Sequence, residues 1–320
     1  MLVKLLEPLN VSEEVIEKLA QPIKEKGHDF VYYNTKTTDE DELVERSKDA
    51  DVIMIANNPY PLKAIESNKN LKLINVAFTG VDHVEIKEAS NQDIIISNAA
   101  GYANTAVAEL AVGLTLDVFR KISQGDEDTR KSHDFPGAIQ GREIKGKTVG
   151  LIGTGKIGVE TAALFKAFGA ELIAADSSSE NPDALDLGVK YLPFQDVIKK
   201  ADILTLHVPL TDSTRHLIGK DQFAEMKEDA IIINCARGAV IDNDALAEAL
   251  NKGEIAGAGI DVYDMEPPIP SDYKLLNAKN TVLTPHIGFL TNEAMELRAE
   301  IAFQNTLNFL EGKPSNVVKR

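Results

Sequence analysis

Short apolar runs alternate with amphipathic stretches along almost the whole chain. Val3–Leu6, Asp29–Tyr33, Asp51–Ile55, Leu71–Ala77 and Asp93–Ser97 are brief, rich in branched aliphatic residues and free of internal turn residues. That pattern predicts strands. Ser12–Lys26 instead repeats its apolar positions at helical spacing and ends at Gly27, a natural helix stop. Strand alternating with helix predicts a mostly parallel sheet covered on both faces. Asn104–Lys121 then predicts a long helix, with Val107, Leu110, Ala111, Leu114 and Val118 on one face and Arg120 and Lys121 at its carboxyl end. Ser123–Arg142 is polar, contains Pro136 and reads as a connecting loop. A second series follows, with strands at Thr148–Ile152, Glu171–Ala175, Asp202–His207, Ala230–Asn234, Ile255–Ile260 and Thr281–Leu283. Helices are predicted at Asp242–Asn251 and at Thr291–Leu310, the latter stopped by Gly312-Lys-Pro. The picture is two α/β lobes of unequal length. A chain of 320 residues agrees with that, at about 150 residues per domain.

Composition narrows the partners. Lys plus Arg is 34 and Asp plus Glu is 50, a formal net charge of −16. A surface that acidic repels phosphate backbones and anionic lipid, so no nucleic-acid or membrane partner is expected. No run approaches the roughly 18 apolar residues of a membrane span. The first residues, Met1-Leu-Val-Lys-Leu-Leu-Glu-Pro, do not resemble a secretory signal. The single cysteine, Cys235, allows no internal disulfide and no cysteine-ligated metal cluster, and no metal is expected. A reduced, cytoplasmic setting fits.

Candidate chemistry begins at Gly153-Thr-Gly155-Lys156-Ile157-Gly158, which follows a strand and opens a helix. The first glycine allows a tight turn, and the second lets backbone approach a pyrophosphate. The third lets helix and strand pack closely, while the helix amino end supplies N–H donors. The following strand ends at Asp176, 18 residues past Gly158, where a carboxylate can accept hydrogen bonds from ribose hydroxyls. Ser177, Ser178, Ser179 and Glu180 come next, with no cation for a 2′-phosphate, so NAD is favoured over NADP.

Three later segments put ionisable groups at strand ends: Asn234-Cys-Ala-Arg237-Gly238, Asp261-Val-Tyr-Asp-Met-Glu266-Pro and Thr284-Pro-His286. The carboxyl edge of an open α/β sheet is where ligands bind. A guanidinium there matches a carboxylate bidentately, although an isolated Arg also serves in salt bridges and a lone His is often structural. Together, in this order and downstream of the glycine turn, these segments resemble the D-isomer-specific 2-hydroxyacid dehydrogenase family, as do His207-Val-Pro-Leu-Thr and Val107-Ala-Glu109. The resemblance covers nearly the entire chain.

The resemblance implies a Rossmann dinucleotide-binding domain at about 101–287. It would be inserted in a discontinuous, flavodoxin-like substrate domain made of 1–100 and 288–320, with both lobes doubly wound parallel sheets. It implies NAD-dependent reversible reduction of a small anionic 2-oxo acid to a D-2-hydroxy acid. Arg237 would bind the carboxylate and polarise the carbonyl, and His286 would be the general acid and base. Glu266 would hydrogen-bond the other imidazole nitrogen and raise its pKa. Cofactor contacts would come from Gly153, Gly155, Lys156, Ile157, Gly158, Asp176, His207, Val208, Pro209, Thr214, Cys235, Ala236 and Asp261, with Cys235 a small lining residue and not a nucleophile.

In the amino-terminal lobe, Thr79-Gly80-Val81-Asp82 looks like the family's carboxylate-binding loop, and Tyr102 stands where relatives close the substrate pocket. Asn57, Asn58 and Tyr60 follow another strand end there. Closure of a cleft would exclude water from the reaction. Relatives are usually homodimers through the helix at 104–121, whose apolar composition would equally suit a buried intramolecular helix. Phe289 departs from the small residue many relatives carry, and His83 is also unusual. Specialised relatives acting on 3-phosphoglycerate, glyoxylate, hydroxypyruvate or phosphite, and an NAD(H)-sensing corepressor, are the alternative functions.

Overall fold

A computed structural model of the chain describes residues 1–81, 83–132, 140–265 and 268–318. It divides into two compact units, Met1–Ala103 with Leu290–Arg320, and Asn104–Phe289.

The first unit is built on five parallel strands: β1 (Leu2–Leu5), β2 (Asp29–Tyr32), β3 (Val52–Ile55), β4 (Leu73–Val76) and β5 (Ile95–Asn98), ordered β2-β1-β3-β4-β5. Every residue of β3 and β4 is buried, because helices cover both faces. The period of two divides them between two cores. Ile53, Ile55, Ile74 and Val76 join Ala64 and Ile65 on one face, while Val52, Met54 and Leu73 meet Ile16, Ile23 and Phe303 on the other. The helix Glu13–Glu25 starts where Ser12 Oγ accepts from the Val15 N–H. The helix Asn292–Leu310 returns the carboxyl end of the chain to this unit. It is anchored by Asn75 Nδ2, which donates to Ala302 O at 2.5 Å and to Thr306 Oγ1 at 2.8 Å. Past the helix, Val317 pairs antiparallel with Ser97, an edge contact that no alternation in the sequence marks.

The second unit holds seven parallel strands: β6 (Thr148–Ile152), β7 (Glu171–Ala175), β8 (Lys190–Tyr191), β9 (Ile203–Leu206), β10 (Ile231–Asn234), β11 (Gly257–Ile260) and β12 (Thr281–Leu283). Their order is β12-β11-β10-β9-β6-β7-β8, which is the doubly wound dinucleotide-binding order with one further strand. The chain switches direction across the sheet between β6 and β9.

One expectation changes. Ser123–Arg142 is not all loop, since Ile122–Ser132 is helical. Its residues are almost all exposed, so no apolar stripe announces it. Ion pairs Asp126–Arg130 and Glu127–Lys131 at i,i+4, and Thr129 Oγ1 donating to Gly125 O, support it instead. Pro136 lies outside the described residues. The apolar face of the helix Asn104–Arg120 is used within its own unit. Leu114 lies against Gly259 and Val118 against Gly257.

Candidate active site

The glycine turn is shaped as a dinucleotide turn must be. Gly153 has φ +94°, and a Cβ there would lie 2.6 Å from His207 O. A Cβ on Gly158 would lie 2.3 Å from Gly153 O, so the helix Lys156–Ala167 reaches the strand only because that side chain is missing. Gly155 caps the helix, and the space where its Cβ would stand is open. Lys156 and Ile157 form the first turn beside it. These residues fit a pyrophosphate, with N–H donors and the positive end of the helix dipole.

Asp176 follows β7. Burial opposes its charge, but N–H and hydroxyl donors from Ser178 and Thr154 outweigh that and hold its pKa down to about 2. Oδ2 accepts from Thr154 N and Oγ1 at 2.7 and 2.8 Å, and Oδ1 from Ser178 N and Oγ at 2.9 and 2.7 Å. A ribose diol would have to replace the Ser178 hydroxyl on Asp176. Thr154, inside the glycine turn, is the hub. It also accepts from Tyr191 OH at 2.8 Å and from Asn181 Nδ2 at 2.7 Å.

After β9, the His207 carbonyl packs against Gly153, and the His207 ring meets Thr205 Oγ1 through Nε2 at 3.0 Å. Burial of that ring lowers its pKa to about 4, so it is neutral at pH 7. Val208 lies against the same glycine, and Pro209 O accepts from Thr214 Oγ1 at 2.6 Å, closing the turn over 209–214.

Three adjacent strands carry the ionisable groups. At the end of β10, the buried Asn234 accepts from Ala236 N at 3.0 Å and donates to Arg237 O at 3.0 Å, which pins the turn through Cys235 and Ala236. A polar residue closing an otherwise aliphatic strand was the signal for that role. Gly238 follows because a Cβ there would lie 1.8 Å from Tyr263 O. Arg237 is half-buried, with Nη1 donating to Ala236 O at 2.8 Å. Cys235 is buried, and burial, with the charge of Asp261, pushes its thiol pKa well up. It is a packing residue and not a nucleophile.

Asp261, at the end of β11, is 1% exposed. Its carboxylate accepts from Thr284 Oγ1 at 2.6 Å and from the N–H groups of Ile287 and Gly288, both at 2.8 Å. Those donors belong to the turn that follows β12 and carries His286. His286 has φ +57°, a left-handed backbone uncommon for a residue with a side chain, and its N–H donates to Asp261 O at 2.9 Å. Phe289 stands edge-on to the imidazole, with ring centroids 5.5 Å apart at 86°. Its bulk is spent on the His286 ring. Glu266 lies outside the described residues.

In the first unit, Thr79, Gly80 and Val81 follow β4, and Asn98 Nδ2 donates to Thr79 O at 2.8 Å. Asp82 lies outside the described residues. Tyr102 is buried, its ring 5.9 Å from that of Phe78. Asn57 accepts from Lys36 Nζ at 3.0 Å, and Asn58 donates to Thr37 O at 3.1 Å. Tyr60 is a core residue, 1% exposed and bonded to Ser47 Oγ at 3.0 Å, so it lines no site. Among the described residues no cluster of His, Cys, Asp and Glu could hold a metal ion. No described helix is long and apolar enough to cross a membrane.

Residues 112–288 match the family model of the D-isomer-specific 2-hydroxyacid dehydrogenase NAD-binding domain. A glyoxylate reductase of Korarchaeum cryptofilum is 32% identical over 316 residues, covering 97% of this chain and 95% of that one. The chain belongs to this family. A D-3-phosphoglycerate dehydrogenase of Methanocaldococcus jannaschii is 40% identical over 281 residues, 87% of this chain and 53% of that protein. The chain thus spans about half the length of the D-3-phosphoglycerate dehydrogenases it matches. Among solved structures, an acyclic imino acid reductase in complex with NADPH and D-Arg superposes with a TM-score of 0.87 at 31% identity, over 100% of both chains. The matched residues lie within the second unit, which is an NAD-binding Rossmann domain.

Proposed function

We propose that this family member catalyses the NAD-dependent, reversible reduction of a small 2-oxo acid to the D-2-hydroxy acid. The observation that carries the reading is the convergence of Arg237, Asp261 and His286 at the carboxyl ends of three neighbouring strands, tied together by the Asn234 and Asp261 hydrogen bonds. When bound, NADH supplies a hydride to the carbonyl carbon. Arg237 holds the substrate carboxylate and draws charge onto the carbonyl oxygen. His286 gives that oxygen a proton, so one hydride and one proton convert C=O to CH–OH, and in oxidation it takes the proton back. Glu266 is assigned to the other imidazole nitrogen, where a carboxylate favours the charged ring. On the first unit, Thr79, Gly80, Val81 and Tyr102 are assigned to the substrate. The Asp176 carboxylate selects NADH over NADPH by repelling a 2′-phosphate. The enzyme is proposed to work as a cytoplasmic homodimer, which light scattering in solution tests.

The direct experiment is NADH consumption with pyruvate, phenylpyruvate, 2-oxoisocaproate, glyoxylate, hydroxypyruvate and 3-phosphohydroxypyruvate, on the protein and on His286→Ala. At least one substrate is expected to be turned over. The variant is expected to lose roughly 10²- to 10⁴-fold in kcat while NADH fluorescence titration stays nearly unchanged. Wild-type turnover by His286→Ala would remove the acid–base assignment.

A further inference from the structure

The carboxylate of Asp176 is held unequally at its two oxygens. Oδ2 takes the N–H and the hydroxyl of Thr154 at 2.7 and 2.8 Å, and Thr154 is 2% exposed. Oδ1 takes the N–H and the hydroxyl of Ser178 at 2.9 and 2.7 Å, and Ser178 is exposed. A carboxylate offers about four lone-pair sites, so an incoming ribose hydroxyl has to displace a donor. The Ser178 hydroxyl can leave at little cost, because it stands at the surface with Ser179 O at 3.4 Å.

The Thr154 hydroxyl cannot. An ionised carboxylate only accepts, so Thr154 Oγ1 donates to Asp176 and accepts from Tyr191 OH, 2.8 Å away. Tyr191 OH in turn accepts from Asn181 N–H at 2.9 Å. Asn181 Nδ2 closes the ring by donating to Thr154 O at 2.7 Å. The relay therefore has one direction, from Asn181 N–H through the Tyr191 and Thr154 hydroxyls to Asp176 Oδ2. It joins the glycine turn, the loop after β7 and the edge strand β8, which the glycine spacing by itself does not link.

Rotating Asp176 away would take Oδ2 from two donors at once and orphan the buried Thr154 N–H. That bears on selection. A carboxylate free to swing aside would let a 2′-phosphate in, whereas one that cannot turn keeps its repulsion. Resting on the proposed preference for NADH, we propose that Thr154 and Tyr191 are positioning residues for cofactor selection, which lock Asp176 through Oδ2 and leave Oδ1 to the ribose hydroxyls.

The test is fluorescence titration with NADH and with NADPH in the absence of substrate. The ratio of the two Kd values is taken on one preparation, so inactive protein cancels. Thr154→Val keeps the backbone N–H and the branched shape but removes the hydroxyl. It should lower the ratio of the NADPH Kd to the NADH Kd by about 3- to 10-fold. Tyr191→Phe should lower it by a smaller factor, about two- to fourfold, because Thr154 still donates. Thr154→Ser, which restores the hydroxyl, should recover most of the wild-type ratio. A purely structural role would depress the melting temperature and leave the ratio where it was. A wild-type ratio in Thr154→Val overturns the proposal, and a wild-type ratio in Tyr191→Phe removes Tyr191 from it. Asp176→Ala is the reference. If it lowers the ratio while Thr154→Val does not, the positioning role falls and the Asp176 reading stands. If the wild-type protein binds NADPH at least as tightly as NADH, and Asp176→Ala changes nothing, both are overturned.

Discussion

Asp261 offers the sharpest test of how the site is held. Asp261→Asn keeps the shape of the side chain, so no cavity opens. The amide oxygen can replace Oδ1 and still accept from Thr284 Oγ1 and Ile287 N, found at 2.6 and 2.8 Å. The amide nitrogen then faces the Gly288 N–H, which Oδ2 now receives at 2.8 Å. Donor meets donor in a place with almost no water, since Asp261 is 1% exposed. One charge-assisted bond is lost and one N–H is orphaned, about 1.5–3 kcal/mol. The loss falls on the turn that already holds His286 at φ +57°, a conformation that persists only while its surroundings enforce it. At 1.36 kcal/mol per decade, kcat/KM should fall roughly 10- to 150-fold. The assay is initial-rate NADH oxidation with the best 2-oxo acid from the screen, beside a thermal melt that should drop by only a few degrees. Thr284→Val removes one of the three donors without touching the charge, and should move kcat/KM in the same direction by a smaller factor. Wild-type kcat/KM in Asp261→Asn would refute the anchoring argument. A severe Asp261→Asn beside a neutral Thr284→Val would show that Asp261 acts through its charge and not by holding the turn.

Other consequences follow from the same geometry. Asp176→Ala should weaken NADH and improve NADPH relative to it, read as the ratio of the two kcat/KM values; an unchanged ratio contradicts the repulsion argument. The His207 pKa is depressed from 6.5 to about 4 by burial, so the unfolded chain binds the proton more readily. Its contribution is intact above pH 6.5 and is lost as pH falls toward 4, about 1–3 kcal/mol in all. Urea unfolding at pH 7 and pH 4.5 should show this decline, and His207→Asn should flatten it. Asp176, held down to about 2, adds a further loss below pH 4 by the same linkage. Gly238→Ala places a Cβ 1.8 Å from Tyr263 O, backbone that cannot yield cheaply, and should cost about 3 kcal/mol or more in denaturant unfolding. Cys235 should resist a thiol reagent at pH 8 in the folded protein and react once urea unfolds it.

Much of this was legible along the chain. The strands appeared as short aliphatic runs because both faces of each parallel sheet are covered, which leaves no polar alternation to confuse them. The dinucleotide turn was legible for a different reason. Its glycines answer to steric demands within one strand–turn–helix unit, and local demands leave local traces. The strand ends bearing Arg237, Asp261 and His286 were visible because they interrupt apolar runs with charge.

What lay beyond reach is equally physical. The helix Ile122–Ser132 has no buried face, so hydrophobic periodicity is silent about it. The apolar stripe of Asn104–Arg120 states that something covers it, but only the fold shows that its own sheet does. Thr154 acts through hydrogen bonds whose partners depend on loop conformation, and its residue type alone is unremarkable. Tyr60 and Phe289 looked alike as aromatic residues near strand ends, yet one is core and the other braces an imidazole. Glu7 and Arg298 stand 291 positions apart. Each reads in isolation as an ordinary solvated charge. Only folding removes water from both, because burial is a property of the packed chain and not of any residue in it.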